Sequence, residues 1–244
     1  MILSGKIAVV TGGGQGIGRA TALKLASVGA TVVVVARSKS KLLGVVAEVE
    51  NCGGQAMALT ADVTRQADVN ALNSELRTTF GRVDILVNGA GVALIAPLVD
   101  TSEADWDLVV DTNLKGTYLC TRALLDLLRQ SEAALVVNIA SKVGLTGHAL
   151  VSAYTAAKAG VIGFSRALAQ ELSPENIRVV AICPGPVDTP MRWKATPKMD
   201  PRFAISAETV AETILFLAKL GDATTGEIVL EAPNYDEGMV SLDR

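Results

Sequence analysis

Seven short runs of β-branched and other apolar residues recur along the chain, and a longer stretch of helical periodicity separates nearly every neighbouring pair. The runs are Ile7–Val10, Thr31–Ala36, Ala56–Ala61, Ile85–Asn88, Leu135–Ile139, Arg178–Cys183 and Glu227–Glu231. Helices are predicted over Gly16–Ser27, Lys39–Asn51, Arg65–Phe80, Glu103–Arg129, Tyr154–Leu172 and Ala207–Leu220. Most runs are apolar at every position, as strands covered on both faces must be. Such strands joined by right-handed helical crossovers form a doubly wound parallel sheet. The expected fold class is therefore α/β, one seven-stranded parallel sheet with helices on both faces. Stop and start signals agree: Thr64 and Ser102 are expected to cap helix N-termini, Gly29 and Gly81 follow helix ends, and Pro174 ends another. No linker or repeat interrupts the alternation, so residues 1–244 are expected to form a single domain with a sizeable core.

Composition excludes several classes of function. A formal net charge of −3 and 50% hydrophobic residues argue against a nucleic-acid binder and against disorder. Met1 to Val10 has no basic start, long apolar stretch or cleavage site, and the longest apolar runs are strand-sized, far below the roughly 20 residues that span a bilayer. A cytoplasmic protein without membrane attachment is expected. Cys52, Cys120 and Cys183 are far apart and lack CxxC spacing, which predicts buried reduced thiols. His148 is the sole histidine, so no metal site is expected. The helix from Tyr154 to Leu172 is apolar or small nearly all round, which predicts a homo-oligomer, dimer or tetramer, packed through its outer face. The tail Ala232–Arg244 is expected at a subunit boundary.

The first strand runs directly into Thr11-Gly12-Gly13-Gly14-Gln15-Gly16-Ile17-Gly18 and then a helix. A strict GxGxxG fails here, and the spacing present is TGxxxGxG. Gly12 permits the tight turn, Gly16 lets backbone N–H groups approach a pyrophosphate, and Gly18 lets the helix lie close to the strand. At the end of the second strand stands Ala36-Arg37-Ser38, with no acid to bind ribose hydroxyls and repel a 2′-phosphate. Arg37 can pair with that phosphate through its planar fork, so NADP(H) is expected over NAD(H). Gln15 leaves the glycine-rich loop without a second cation.

Tyr154 and Lys158 are four apart at the start of a predicted helix and share a face. Ser141 ends the fifth strand. In a doubly wound sheet both belong at the carboxyl ends of the strands, where ligands bind.

With these residues in place, the chain resembles the short-chain dehydrogenases/reductases over nearly its whole length, in the simple oxidoreductase branch that includes 3-oxoacyl-carrier-protein reductase-like members. TGxxxGxG falls at Thr11–Gly18 and an Asp-Val pair at Asp62-Val63. The NNAG motif appears as Asn88-Gly89-Ala90-Gly91, with glycine for its second asparagine. Asn113, Ser141, Tyr154 and Lys158 match the catalytic positions, and Pro184-Gly185 with Thr189 matches the segment after the sixth strand.

The resemblance implies a Rossmann-type fold and an oxidoreductase exchanging hydride between a nicotinamide and a ketone or secondary alcohol. Tyr154 is implied as general acid/base and Ser141 as the holder of the substrate oxygen. Lys158 is implied at the nicotinamide ribose, and Asn113 as the holder of a relay water. Gly12, Gln15, Gly16, Ile17, Gly18 and Arg37 are expected around the phosphates, and Asp62 and Val63 at the adenine. Asn88 and Gly91 are expected beside the adenosine ribose, and Pro184, Gly185, Val187 and Thr189 near the carboxamide. A lysine roughly 4 Å from the phenol, at an effective dielectric of about 20, offers up to ~4 kcal/mol. Together with an oxidised nicotinamide it is expected to lower the Tyr154 pKa against the opposing effect of burial.

Two other readings of the same residues exist. A serine hydrolase fails, because Ser141 lacks a GxSxG elbow. A catalytically silent NADP(H) sensor on the same fold is the alternative. Leu94, Leu145 and His148, with Gly144 and Leu150, are expected to line a substrate pocket beside Ser141 and Tyr154. Residues 189–206, carrying Met191, Trp193, Met199 and Phe203, are expected to form a lid. Few charges there suit a small apolar or moderately polar carbonyl or alcohol substrate.

Overall fold

The computed structural model describes residues 2–220 and 226–232 and centres on a single seven-stranded sheet. The strands are β1 (Ile7–Thr11), β2 (Thr31–Ala36), β3 (Gln55–Thr60), β4 (Ile85–Asn88), β5 (Ala134–Ile139), β6 (Ile177–Pro184) and β7 (Gly226–Leu230). All pairs are parallel, in the order β3-β2-β1-β4-β5-β6-β7. The chain winds outward from β1 to β3, crosses back to β4, and winds outward again to β7. The reversal between β1 and β4 opens a crevice at the strands' carboxyl ends.

Alternate strand residues enter two cores. Val10, Val34 and Val87 pack with α1 (Gly16–Ser27), α2 (Lys39–Asn51) and α9 (Ala207–Lys219). Val9, Val35 and Val136 pack on the other face with α3 (Gln66–Thr79), α5 (Gly116–Leu128) and α7 (Ser152–Leu172). Each fully buried side chain of this size contributes about 1.5–3 kcal/mol. The predicted doubly wound Rossmann-type architecture is the one observed, with strand ends shifted by at most one residue.

Three expectations need correction. The helix predicted over Glu103–Arg129 is three pieces: α4 (Glu103–Val110), a π-turn at Asp111–Lys115, and α5. The cause is local. Asn113 Nδ2 donates to the Val109 carbonyl at 2.8 Å, occupying an acceptor that regular helix bonding would use. Thr64 does not cap α3; its hydroxyl donates to Asp62 Oδ1 at 2.8 Å, and the helix starts at Gln66 after Arg65 with no side-chain cap. Ser102 does cap α4, accepting from the Asp105 N–H at 3.1 Å. Cys52 is exposed, whereas Cys120 and Cys183 are buried, and all three are free. Two short helices were not foreseen, α6 (Val143–Thr146) and α8 (Pro190–Ala195). Of the tail Ala232–Arg244, only Ala232 lies among the described residues, and it is buried.

Candidate active site

A cleft of about 270 Å³ lies over the β1–β4 switch point. Its floor is built from backbone. At Gly12 φ is +68°, and a Cβ there would stand 2.5 Å from the Gly89 carbonyl oxygen. At Gly18 a Cβ would stand 2.3 Å from the Gly12 carbonyl oxygen. The α1 N-terminus and the β4 turn therefore close on the loop as only glycine permits. The Gly89 that replaces an asparagine of the motif has the same explanation, since a Cβ there would lie 2.9 Å from the Thr11 carbonyl oxygen. Thr11 Oγ1 staples this turn, accepting from the N–H groups of Gly89 at 3.1 Å and Ala90 at 3.2 Å.

Gly12, Gln15, Gly16, Ile17, Gly18, Arg37, Asp62, Val63, Gly91 and Thr189 all line this cleft. Asn88, Pro184, Gly185 and Val187 do not. Asn88 is buried beneath it, Gly185 is tied to Leu230 by a 2.7 Å backbone bond, and buried Val187 bridges to Ile205. Among the lining residues that sequence alone did not place here, Lys41 matters most for charge. In the first turn of α2, it reaches back to donate to Gln15 Oε1 at 2.5 Å. It supplies the second cation that Gln15 withholds, one helical turn beyond Arg37. The Arg37 guanidinium lies 3.9 Å from Asp62. Burial pushes the Asp62 carboxyl up, and hydrogen bonds from Thr64 with the charges of Arg37 and Arg65 outweigh it, leaving the pKa lowered.

Gly91 joins the cleft to the polar groups. A Cβ there would stand 2.7 Å from Asn113 Oδ1 and 3.8 Å from Lys158 Nζ. Asn113 is held from two sides, its Nδ2 donating at 2.8 Å to the carbonyls of Val92 and Val109. Its Oδ1 is buried without a protein partner. An unpaired buried acceptor at the cleft edge fits a bound donor or water. Together with the glycine floor and the cations at Arg37 and Lys41, this acceptor suits a bound dinucleotide.

Tyr154 and Lys158 share one face of α7, with the ammonium 5.6 Å from the ring centroid. Lys158 is buried and donates to the Ile139 carbonyl at 2.6 Å. Burial pulls its pKa down to about 8. Without the cofactor whose positive charge the expected lowering of Tyr154 invoked, burial dominates the phenol. Burial pushes the phenol up to about 12, and a hydrogen bond with Ser141 and the charge of Arg192 pull it back only in part. Lys158 directs its ammonium to the Ile139 carbonyl and is not among the groups that pull the phenol back. Arg192, on α8, is another residue the sequence reading missed.

Among the expected substrate residues, Leu94 is half-buried and packs, as Tyr154 does, against the cluster of Val109, Ala153 and Ala157. Leu145 is exposed, and exposed His148 turns its Nδ1 to the neighbouring Ala149 carbonyl at 2.8 Å. Among the described residues no cluster of three or more potential ligands is placed to hold a metal.

The profile of the short chain dehydrogenases matches residues 6–200. The chain belongs to that family. It is 38% identical to a (2S)-[(R)-hydroxy(phenyl)methyl]succinyl-CoA dehydrogenase subunit of Thauera aromatica over 227 residues, 89% of this chain and 91% of the relative. It is equally 38% identical to a 3-oxoacyl-[acyl-carrier-protein] reductase of Synechocystis sp. over 244 residues, 98% of each chain. A metagenomic short-chain oxidoreductase solved in complex with NADP superposes with a TM-score of 0.83 at 33% identity, covering 94% of this chain and 98% of that one. The protein is thus a short-chain oxidoreductase. Its named relatives are reductases and dehydrogenases, which favours turnover over the silent-sensor alternative.

Proposed function

We propose that this short-chain oxidoreductase is an NADP(H)-dependent reductase of ketones carrying apolar or moderately polar substituents. The observation that carries the reading is the convergence of Asn113 and Lys158 on Gly91 at the cleft edge, with Tyr154 and Ser141 adjoining. When bound, the nicotinamide supplies or accepts the hydride. Tyr154, proton-bearing at neutral pH with its pKa near 12, gives a proton to the carbonyl oxygen in reduction. Ser141 holds that oxygen and orients the phenol. Lys158 binds the nicotinamide ribose and, as a cation, restores the phenol's proton through a water held at Asn113. Arg37 and Lys41 hold the 2′-phosphate, while Asp62 and Val63 face the adenine. Val187 and Thr189, following Pro184 and Gly185, hold the carboxamide end.

Residues 189–206 act as a lid over the substrate, with Leu94, Leu145 and His148 at its rim. The lid is tethered by Trp193 Nε1, which donates to Asp188 at 2.6 Å. Exposed Ala156, Ala159, Gly163 and Ala167 on α7 support association of copies through that helix. No helix among the described residues is long and apolar enough to cross a membrane, which accords with a cytoplasmic place of action. The test is a spectrophotometric screen that follows oxidation of NADPH and NADH against ketone, sugar and acyl-thioester panels. Turnover with NADPH preferred on apolar ketones is expected; preference for NADH overturns the cofactor assignment, and binding without turnover overturns the enzyme.

A further inference from the structure

Two elements that carry the polar groups of the reaction are joined by an unbroken line of buried hydrogen bonds. It begins in the π-turn, where the Asn113 carbonyl accepts from Thr117 Oγ1 at 2.8 Å. Thr121 Oγ1 donates to the Thr117 carbonyl at 2.8 Å and accepts from Asn88 Nδ2 at 3.0 Å. Asn88 Nδ2 also donates to Asn138 Oδ1 at 2.8 Å, across a register pair of β4 and β5. Asn138 Nδ2 donates in turn to Ser165 Oγ on α7 at 2.9 Å, and Ser165 Oγ donates to the Val161 carbonyl at 2.7 Å. Every side chain in the line is buried.

Ser165 lies two turns beyond Lys158 on the same face of α7. The rest of the buried side of α7 is apolar, made by Ala153, Ala157, Val161, Ile162, Ala169 and Leu172. Their burial is non-directional, whereas the Ser165 bond adds a directional contact between the helix and the sheet. Lys158 also bonds β5, through the Ile139 carbonyl, but its ammonium belongs to the chemistry. The Ser165 bond does not, so it holds the helix whatever Lys158 contacts. Asn138 cannot turn away, because Asn88 engages its oxygen and Ser165 its nitrogen.

We infer that Asn138 and Ser165 are positioning residues, pinning α7 to β5 so that Tyr154 and Lys158 stay in register with Asn113 and Ser141. The inference rests on the catalytic reading of Tyr154 given above. A bond whose only task is to stabilise the fold would affect every property of the site together, whereas a positioning bond acts through Tyr154.

The experiment compares the full-length protein with Ser165→Ala, using NADPH and a ketone that the parent reduces. We expect kcat to fall by about ten- to hundredfold, the scale of an ångström-sized misplacement. The dissociation constant of NADPH, read from the fluorescence of the bound nucleotide, changes far less than kcat, because the glycine-rich loop and the cations around the phosphates are untouched. In a Tyr154→Phe background the same substitution removes no further turnover, because the hydroxyl it misplaces is gone. Unchanged kcat in Ser165→Ala overturns the inference. So does a loss of turnover matched by a loss of NADPH affinity and repeated in the Tyr154→Phe background. If Ser165→Ala does not fold, Ser165→Cys, close in size and a weaker acceptor, carries the same comparison with the same outcomes. A parent inactive on every panel sinks the catalytic reading and this inference with it; an active parent with an unaffected variant sinks the inference alone.

Discussion

The nucleotide cleft and the catalytic helix are built in opposite ways. The cleft is shaped by missing side chains: Gly12, Gly18 and Gly89 let three backbone segments touch where a single methyl group would collide. The catalytic region is shaped by side chains that are present, buried and polar, namely Asn113, Lys158, Asn138 and Ser165. Backbone contact tolerates little adjustment, so the first region is fixed by sterics. Buried polar groups must find partners, so the second is fixed by hydrogen bonds whose loss leaves a desolvated group unpaired.

Substitutions on the two sides should separate binding from chemistry. Tyr154→Phe removes the proton donor and should lower kcat by about 10²–10⁴-fold. NADPH affinity, measured by fluorescence titration, should persist; a proportionate loss of affinity would erase the contrast. Lys158→Met probes the cost of the buried ammonium. The folded pKa of Lys158 is depressed to about 8 from 10.5, so between those values the unfolded chain binds more protons and stability rises with pH. Below pH 8 the native state bears the full penalty, ~3 kcal/mol by the shift. Urea unfolding should find Lys158→Met more stable than the parent at pH 7, with the gap closing as pH climbs past 10. A gap independent of pH would show that packing, not charge, decides it.

Gly18→Ala is the complementary change on the cleft side. Forcing a Cβ against the Gly12 carbonyl should cost about 1–3 kcal/mol, seen as a lower melting temperature and weaker NADPH binding. Retained affinity would mean the loop has more room than the backbone contact implies. The smallest expected effect is at the rim. Lys41→Gln should raise KM for NADPH about tenfold, the loss of one charge-assisted contact, and leave KM for NADH unchanged. Equal effects on both cofactors would place Lys41 away from the 2′-phosphate.

The difference between the two regions also explains which parts could be read in advance. A glycine requirement is local, because it depends on residues adjacent in the chain and on the strand before them, so Thr11–Gly18 announced its role. The strands and their parallel winding followed from unbroken apolar runs, since a two-faced core leaves little choice of residue. Caps were legible where one acceptor was in reach, as at Ser102, and misread at Thr64, where Asp62 captures the hydroxyl. The π-turn had no warning in periodicity, because it depends on Asn113 bonding both Val92, from a distant loop, and Val109. Lys41 was hidden for a related reason: its reach to Gln15 exists only once α2 folds back beside the glycine-rich loop.

Residue order alone was sufficient for the α/β class, the strand succession, the phosphate loop and the Tyr154–Lys158 pair, all of which arise from short-range geometry and apolar patterning. Protonation belongs to the assembled molecule. Whether Lys158 lowers Tyr154 depends on which acceptor the ammonium meets and how much water the phenol loses, and those quantities come into being only when β5, β6 and α7 close around them.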